Sequence, residues 1–289
     1  MKKKIIIGLS LFSCIIMNAQ EHVSYLNFGV GGGLHSFLYD HVDGMKQDNK
    51  AGYTINVGYS FFFNPAWGIQ SGVGLKTFSG TTTLNQLSVT PAVDAMNRNY
   101  EFRAKFENFQ ENQNAIFLNI PIALQFCHQT VKNVEVIGSL GAEVAFPIYK
   151  RYSSAGKGDI VTTGYYSQWN TELSELPEYG FTTITDAQNG ELPFNNEDVF
   201  CSGIADIGEL IRLTDNAKLY IGGYLNVGLN NILKSGSKSI YQPDGVYNGV
   251  FSSSEISRMI PVAGGIKIGV YFRMGHKNPD GNSATHLPN

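Results

Sequence analysis

His35, Asp40, His41 and Asp43 come nearest, by type and spacing, to a reactive constellation. An imidazole oriented by a carboxylate can act as a general base, but it needs a nucleophile or a bound water within reach. Nothing elsewhere in the sequence points at these four, and they read as solvated residues of a connection. Asp186, Asn189, Gly190 and Glu191 offer oxygen ligands for calcium, but their spacing is not that of an EF-hand loop and a polar turn is the expectation. Gly29-x-Gly31 lacks the third glycine of a dinucleotide fingerprint, and Gly156-Lys157 lacks the rest of a phosphate loop. Neither His-Glu-x-x-His nor Gly-x-Ser-x-Gly occurs. The chain is therefore read as non-enzymatic, with no catalytic residue, cofactor or metal.

Two further groups take their meaning from the elements that place them. Lys76, Glu143, Asp206 and Lys267 are charged residues on otherwise small, polar strand faces. Tyr165, Tyr166, Trp169, Tyr179 and Phe181 crowd one long connection, where aromatics mark a recognition surface or pack on one another to order the segment.

The elements follow from alternation with period 2, in segments of about ten residues, the length a tilted strand needs to cross a bilayer. Tyr53, Ile55, Val57, Tyr59, Phe61 and Phe63 share one face, with Thr54, Asn56, Gly58 and Ser60 on the other. Similar segments lie near 26–35, 67–76, 116–126, 134–148, 199–213, 219–229 and 260–272, eight in all. In the sixth, Ile204 and Ile207 fall on opposite faces and Glu209 sits beside Ile207, so a bulge or early exit is expected there. Connections are short near 64–66, 128–133 and 214–216 and long near 41–50, 80–114, 149–198 and 233–257. Strict alternation of short and long predicts an all-β, antiparallel up-and-down barrel crossing a membrane, with turns on one rim and outer loops on the other.

Residues 1–19 support export. Lys2, Lys3 and Lys4 precede an apolar run from Ile5 to Met17 and then Asn18, Ala19 and Gln20, the pattern of a secretory signal cut after Ala19. The apolar run continues past Cys14, which argues against a lipoprotein box. Loss of three lysines takes the formal charge from −3 to −6, and a mildly acidic chain without a basic run has no footprint for nucleic acid. Cys127 and Cys201 then fall at opposite rims, too far apart for a disulfide.

A soluble lipocalin-type barrel alternates in the same way but buries its apolar face. Gly29, Gly31, Gly33, Gly58, Gly72 and Gly74, with Asn27, Asn56 and Asn226, instead suit a narrow interior. Tyr25, Phe61, Phe63, Trp67, Phe126 and Phe272 read as an interfacial girdle at the turn rim. On the inward faces, Lys76, Glu143, Asp206 and Lys267 are expected to form an ion-pair network that plugs the lumen.

Three local patterns carry a resemblance. Phe117-Leu118-Asn119-Ile120-Pro121-Ile122, Gly228-Leu229-Asn230-Asn231-Ile232 and Gly265-Ile266-Lys267-Ile268-Gly269-Val270-Tyr271-Phe272 are similar to strands of PorT-like and OmpA/OmpX-like outer-membrane β-barrels of the porin superfamily. Pro121 inside a strand with no free edge forces a missing ladder bond, and a bulge is expected there. Asn119 stands where that family often has a carboxylate, and residues 273–289 follow Phe272 where many members end on the aromatic that the insertion machinery reads. The resemblance implies a signal peptide over 1–19, a barrel over 20–272 and a short periplasmic tail over 273–289. It also implies a place in the outer membrane and contact with its lipid and with the barrel insertion machinery. The outer loops, chiefly 149–198, are then expected to meet an extracellular ligand or an envelope protein; the alternatives are a narrow channel or transport or secretion accessory and, third, an enzyme sited at the outer rim.

Overall fold

The computed structural model describes residues 23–40, 42–154, 156–194, 199–234, 236 and 238–274. The expected signal peptide, His41 and the expected tail from residue 275 onward lie outside the described residues. In chain order the strands are β1 (Val23–Tyr39), β2 (Met45–Asn49), β3 (Ala51–Phe62), β4 (Trp67–Leu84), β5 (Leu87–Val93), β6 (Asn99–Glu107), β7 (Phe109–Val131) and β8 (Val134–Ser154). They continue with β9 (Asp159–Tyr166), β10 (Thr171–Leu173), β11 (Thr183–Ile184), β12 (Asn189–Glu191), β13 (Phe200–Arg212), β14 (Ala217–Gly228) and β15 (Met259–Met274).

Eight of these close a ring in the order β1, β3, β4, β7, β8, β13, β14, β15 and back to β1, every pair antiparallel. They coincide with the eight segments read from alternation. Closure leaves the ring without a free edge, the condition a sheet must meet where water cannot satisfy its backbone. Ser24 pairs with Met274, so the two described ends of the chain sit side by side at the short-turn rim. There Asn133 turns β7 into β8 with φ 69°, a left-handed conformation that asparagine tolerates.

The faces decide between membrane and soluble barrel. Val30, Ile55, Val73, Ile122, Leu140, Ile207, Ile221, Ile266 and Ile268 are exposed on the outer surface, whereas Asn27, Thr54, Ser60, Asn119, Gln125, Ser202 and Asn226 are buried within. This is the orientation of a transmembrane barrel, and the lipocalin arrangement is ruled out by it. Inward glycines make room for the side chains that cross the lumen. A Cβ on Gly58 would lie 2.5 Å from Asn27 Oδ1, and one on Gly31 would lie 3.1 Å from the Tyr224 ring.

Three expectations need correction. The sixth strand, β13, runs without a register shift against both neighbours; its alternation breaks because Ile204 lines the lumen while Glu209 faces outward three residues from the strand's end. The register shifts lie instead between β7 and β8, at Ile116/Phe117 and Gln129/Val131. Pro121 brings no bulge against β4: pairing stops at Ser71↔Ile122 and resumes at Gly74↔Asn119 in the same register, and Ser71 Oγ donates to Pro121 O at 2.9 Å. Tyr25 leaves the proposed girdle, since it points inward and packs edge-to-face on Phe62 at 6.0 Å.

Three of the four long connections carry strands. β4, β7 and β8 have 18, 23 and 21 residues, well beyond the about 10 needed to cross. Their outer ends carry β2 and β12 and lead into a second sheet of order β10, β9, β6, β5, with β11 also on β9. One core runs from Phe37, Phe78, Phe117 and Phe200 in the barrel mouth to Phe102, Phe106 and Ile160 under this sheet and to Val250 and Phe251 of the last connection.

Ile207 is 67% exposed near the middle of β13. Ile207→Arg should destabilise the barrel by about 2–4 kcal/mol in lipid, whereas Val93→Arg on the exposed face of β5 should stay within about 0.5 kcal/mol. Urea titration of both variants in lipid vesicles checks this.

Candidate functional site

The four inward charges pair two by two. Lys76 on β4 meets Glu143 on β8 at 2.5 Å, and both are buried. Asn226 Nδ2 donates to Glu143 Oε1 at 2.6 Å and Asn119 Nδ2 to Oε2 at 3.1 Å, so the amide on β7 supports the carboxylate that β8 supplies. Lys267 of β15 pairs with Asp206 of β13, which also accepts from Ser139 Oγ at 3.2 Å. Both pairs border one cavity of about 60 Å³. A third pair joins Glu135 of β8, legible in the sequence as an inward charge, to Lys218 of β14, which was not, at 2.6 Å near the short-turn rim. Lys218 shares its face with Tyr220 and Tyr224, and that spacing was the available signal.

Above these pairs the lumen is filled with aromatics. Phe78 lies 5.5 Å from Phe37 and 5.4 Å from Phe117, and Phe117 lies 5.8 Å from Phe194 and 6.0 Å from Phe200. His35 is buried at the base of this plug. Its Nδ1 lies 2.6 Å from Thr77 O and therefore donates, which leaves Nε2 to accept from the Tyr224 hydroxyl at 2.5 Å. Both ring nitrogens are occupied, and Asp40 stands apart, accepting from Ser257 Oγ at 2.6 Å. No carboxylate orients the His35 ring, whose two nitrogens meet Thr77 and Tyr224.

The loop aromatics divide by face. Tyr166 and Phe181 are buried beneath the outer sheet, and Phe181 fills the space over Gly164, where a Cβ would sit 2.2 Å from its ring. Tyr165 faces outward under Arg103, whose guanidinium lies 4.0 Å from the ring centre. Tyr100, Tyr166 and Trp169 form a stacked ladder with spacings of 5.3 and 5.4 Å. Trp169 ends this ladder 54% exposed, beside Arg98, which Asp94 holds at 2.7 Å. Met96 at 73% and Tyr179 at 67% are exposed as well.

Asn189, Gly190 and Glu191 form β12 rather than a calcium turn, and Tyr152 of β8 occupies the space over Gly190. Among the described residues no cluster of His, Cys, Asp or Glu is arranged to hold a metal ion. Cys127 and Cys201 are both free, the first buried and the second exposed.

Glu111 was not singled out in the sequence. It stands on the part of β7 above the apolar belt and is buried, accepting from the Tyr247 hydroxyl at 2.6 Å, the Val250 amide at 3.0 Å and Gln113 at 2.9 Å. Burial pushes its carboxyl above the ordinary range, against these three donors. Burial and the nearby Glu111 raise the Tyr247 hydroxyl as well.

No family model matches the chain, and no curated protein matches it. Among solved structures it is similar to Ail, the attachment invasion locus protein of Yersinia pestis, at 10% identity and TM-score 0.34, over 88% of this chain and all of that one. Neisserial surface protein A gives 8% identity and TM-score 0.36 over 88% of this chain and all of that one. The outer membrane protein OprG of Pseudomonas aeruginosa gives 10% and 0.36 over 88% and 96%. Likenesses this weak carry no inference, and the closed ring stands on its own strand pairing.

Glu143→Ala should strand the buried Lys76 and destabilise the barrel by about 3–5 kcal/mol, while Lys76→Met with Glu143→Met should recover most of the loss. Refolding midpoints in lipid vesicles test this.

Glu111 gives a pH dependence of definite sign. A carboxyl raised on folding stabilises fully below its unfolded value near 4.5 and less as pH rises through the folded value. Amides of Tyr247 to Ser253 should therefore lose hydrogen-exchange protection as pH rises above the unfolded value near 4.5, and Glu111→Gln should remove the trend.

Proposed function

We propose that this chain is an exported, non-enzymatic outer-membrane protein in which a closed barrel anchors a folded outer domain that recognises a ligand or partner outside the cell. The lumen supports this over transport: the cavity between its ion pairs holds only about 60 Å³, and an aromatic plug lies above it. The outer sheet shares one continuous core with the barrel mouth, so its surface is presented rigidly. Trp169, Tyr179, Met96 and Arg98 belong to the residue types enriched at recognition surfaces, and the ladder beneath Trp169 fixes its ring in place. The contacts proposed are outer-membrane lipid around the belt, the barrel insertion machinery during assembly, and an extracellular ligand or envelope protein at the outer sheet.

Planar-bilayer recording should show no unitary conductance steps; regular steps would put the channel reading first. Vesicles bearing the protein should bind one member of an immobilised panel of extracellular proteins and glycans. Trp169→Ala with Tyr179→Ala should lower that binding at least about tenfold while leaving the heat-dependent gel shift intact.

A further inference from the structure

At the short-turn end the barrel opens into a chamber of about 590 Å³. Tyr25, Phe62 and Leu210 form its walls, all buried among their neighbours. Ile137, Tyr220 and Tyr271 pack against these walls from within the barrel, so the chamber is separated from the ion pairs above and has its mouth at the rim. Its volume lies within the about 300–1,000 Å³ of small-molecule sites.

The charges lining it are unequal. Glu135 accepts from Lys218 at 2.6 and 2.7 Å, and Lys218 Nζ also lies 5.0 Å from the Tyr25 ring centre. Arg212, at the rim, brings a second cation against that one carboxylate. An apolar chamber with an excess of positive charge at its mouth fits a ligand that has a flat apolar body and one acidic end. A guanidinium meets such an acid with two parallel hydrogen bonds, and removal of the ring from water supplies the rest of the affinity.

We propose that this chamber is a binding site for a small aromatic carboxylate, the ring held between Tyr25, Phe62 and Leu210 and the acid turned toward Arg212 and Lys218. The site is independent of recognition at the outer sheet, and neither reading depends on the other.

The test is calorimetric titration of 2-naphthoate into the full chain in lipid nanodiscs, with empty nanodiscs as reference and 2-naphthol as the neutral isostere. Saturable binding at one site is expected, with the acid at least about tenfold tighter than the alcohol. Arg212→Ala should erase that preference without disturbing the heat-dependent gel shift, and Leu210→Trp, which fills the chamber, should abolish binding of both. Heat equal to that of empty nanodiscs, equal affinity for acid and alcohol, or a preference that survives Arg212→Ala would overturn the assignment. Arg212→Ala is decisive even if Leu210→Trp fails to fold.

Discussion

Inside a bilayer each backbone N–H and C=O must find its partner within the protein, and most of what this chain does with its residues follows from that demand. Strands that pair on both sides must close on one another, and β15 returning to β1 closes the ring. Closure turns one side of each strand to lipid and the other into a lumen too narrow for bulk water. Glycines at the inward positions then make room for Asn27 and Tyr224, and carboxylates placed inside need cations beside them. The pairing lapse at Pro121 is tolerated because Ser71 supplies a side-chain donor to the carbonyl next to it.

The same strands serve a second purpose once they leave the membrane. β7 and β8 rise together well past the belt and remain paired from Ile116/Tyr149 up to Glu111/Ser154. Their extensions form a wall on which the last connection and the outer sheet can bury aromatic residues. Phe117 belongs to both regions, touching Phe78 in the barrel mouth and Phe194 of the long connection. Sealing the lumen and ordering the outer domain are one packing event, because the same aromatic core serves both.

The ring was legible in the sequence because period-2 alternation between apolar and small polar residues has few other causes. Ile204 and Glu209 misled for a physical reason: a lumen accepts an isoleucine where packing needs one, and a strand end near the rim accepts an outward carboxylate. The outer sheet escaped notice although Phe102, Ala104 and Phe106 alternate with Arg103, Lys105 and Glu107 as clearly as any barrel strand. Short strands between turns carry little signal until the core that joins them is known. Inward charges could be assigned to a face, but their partners come from register, and so Lys218 was missed and the four expected charges resolved into separate pairs. Glu111 gives little local cue, since two of its three donors, Tyr247 and Val250, lie in a connection more than a hundred residues away.

The central claim is that the apolar face of the closed ring faces lipid and the polar face is sealed inside. Gel mobility of the detergent-extracted protein, with and without boiling, tests it most directly. A closed membrane barrel keeps its compact shape in the cold, so the unboiled band should run faster and shift on heating. A protein that is soluble without detergent and shows no shift would contradict the account and place the apolar face inside.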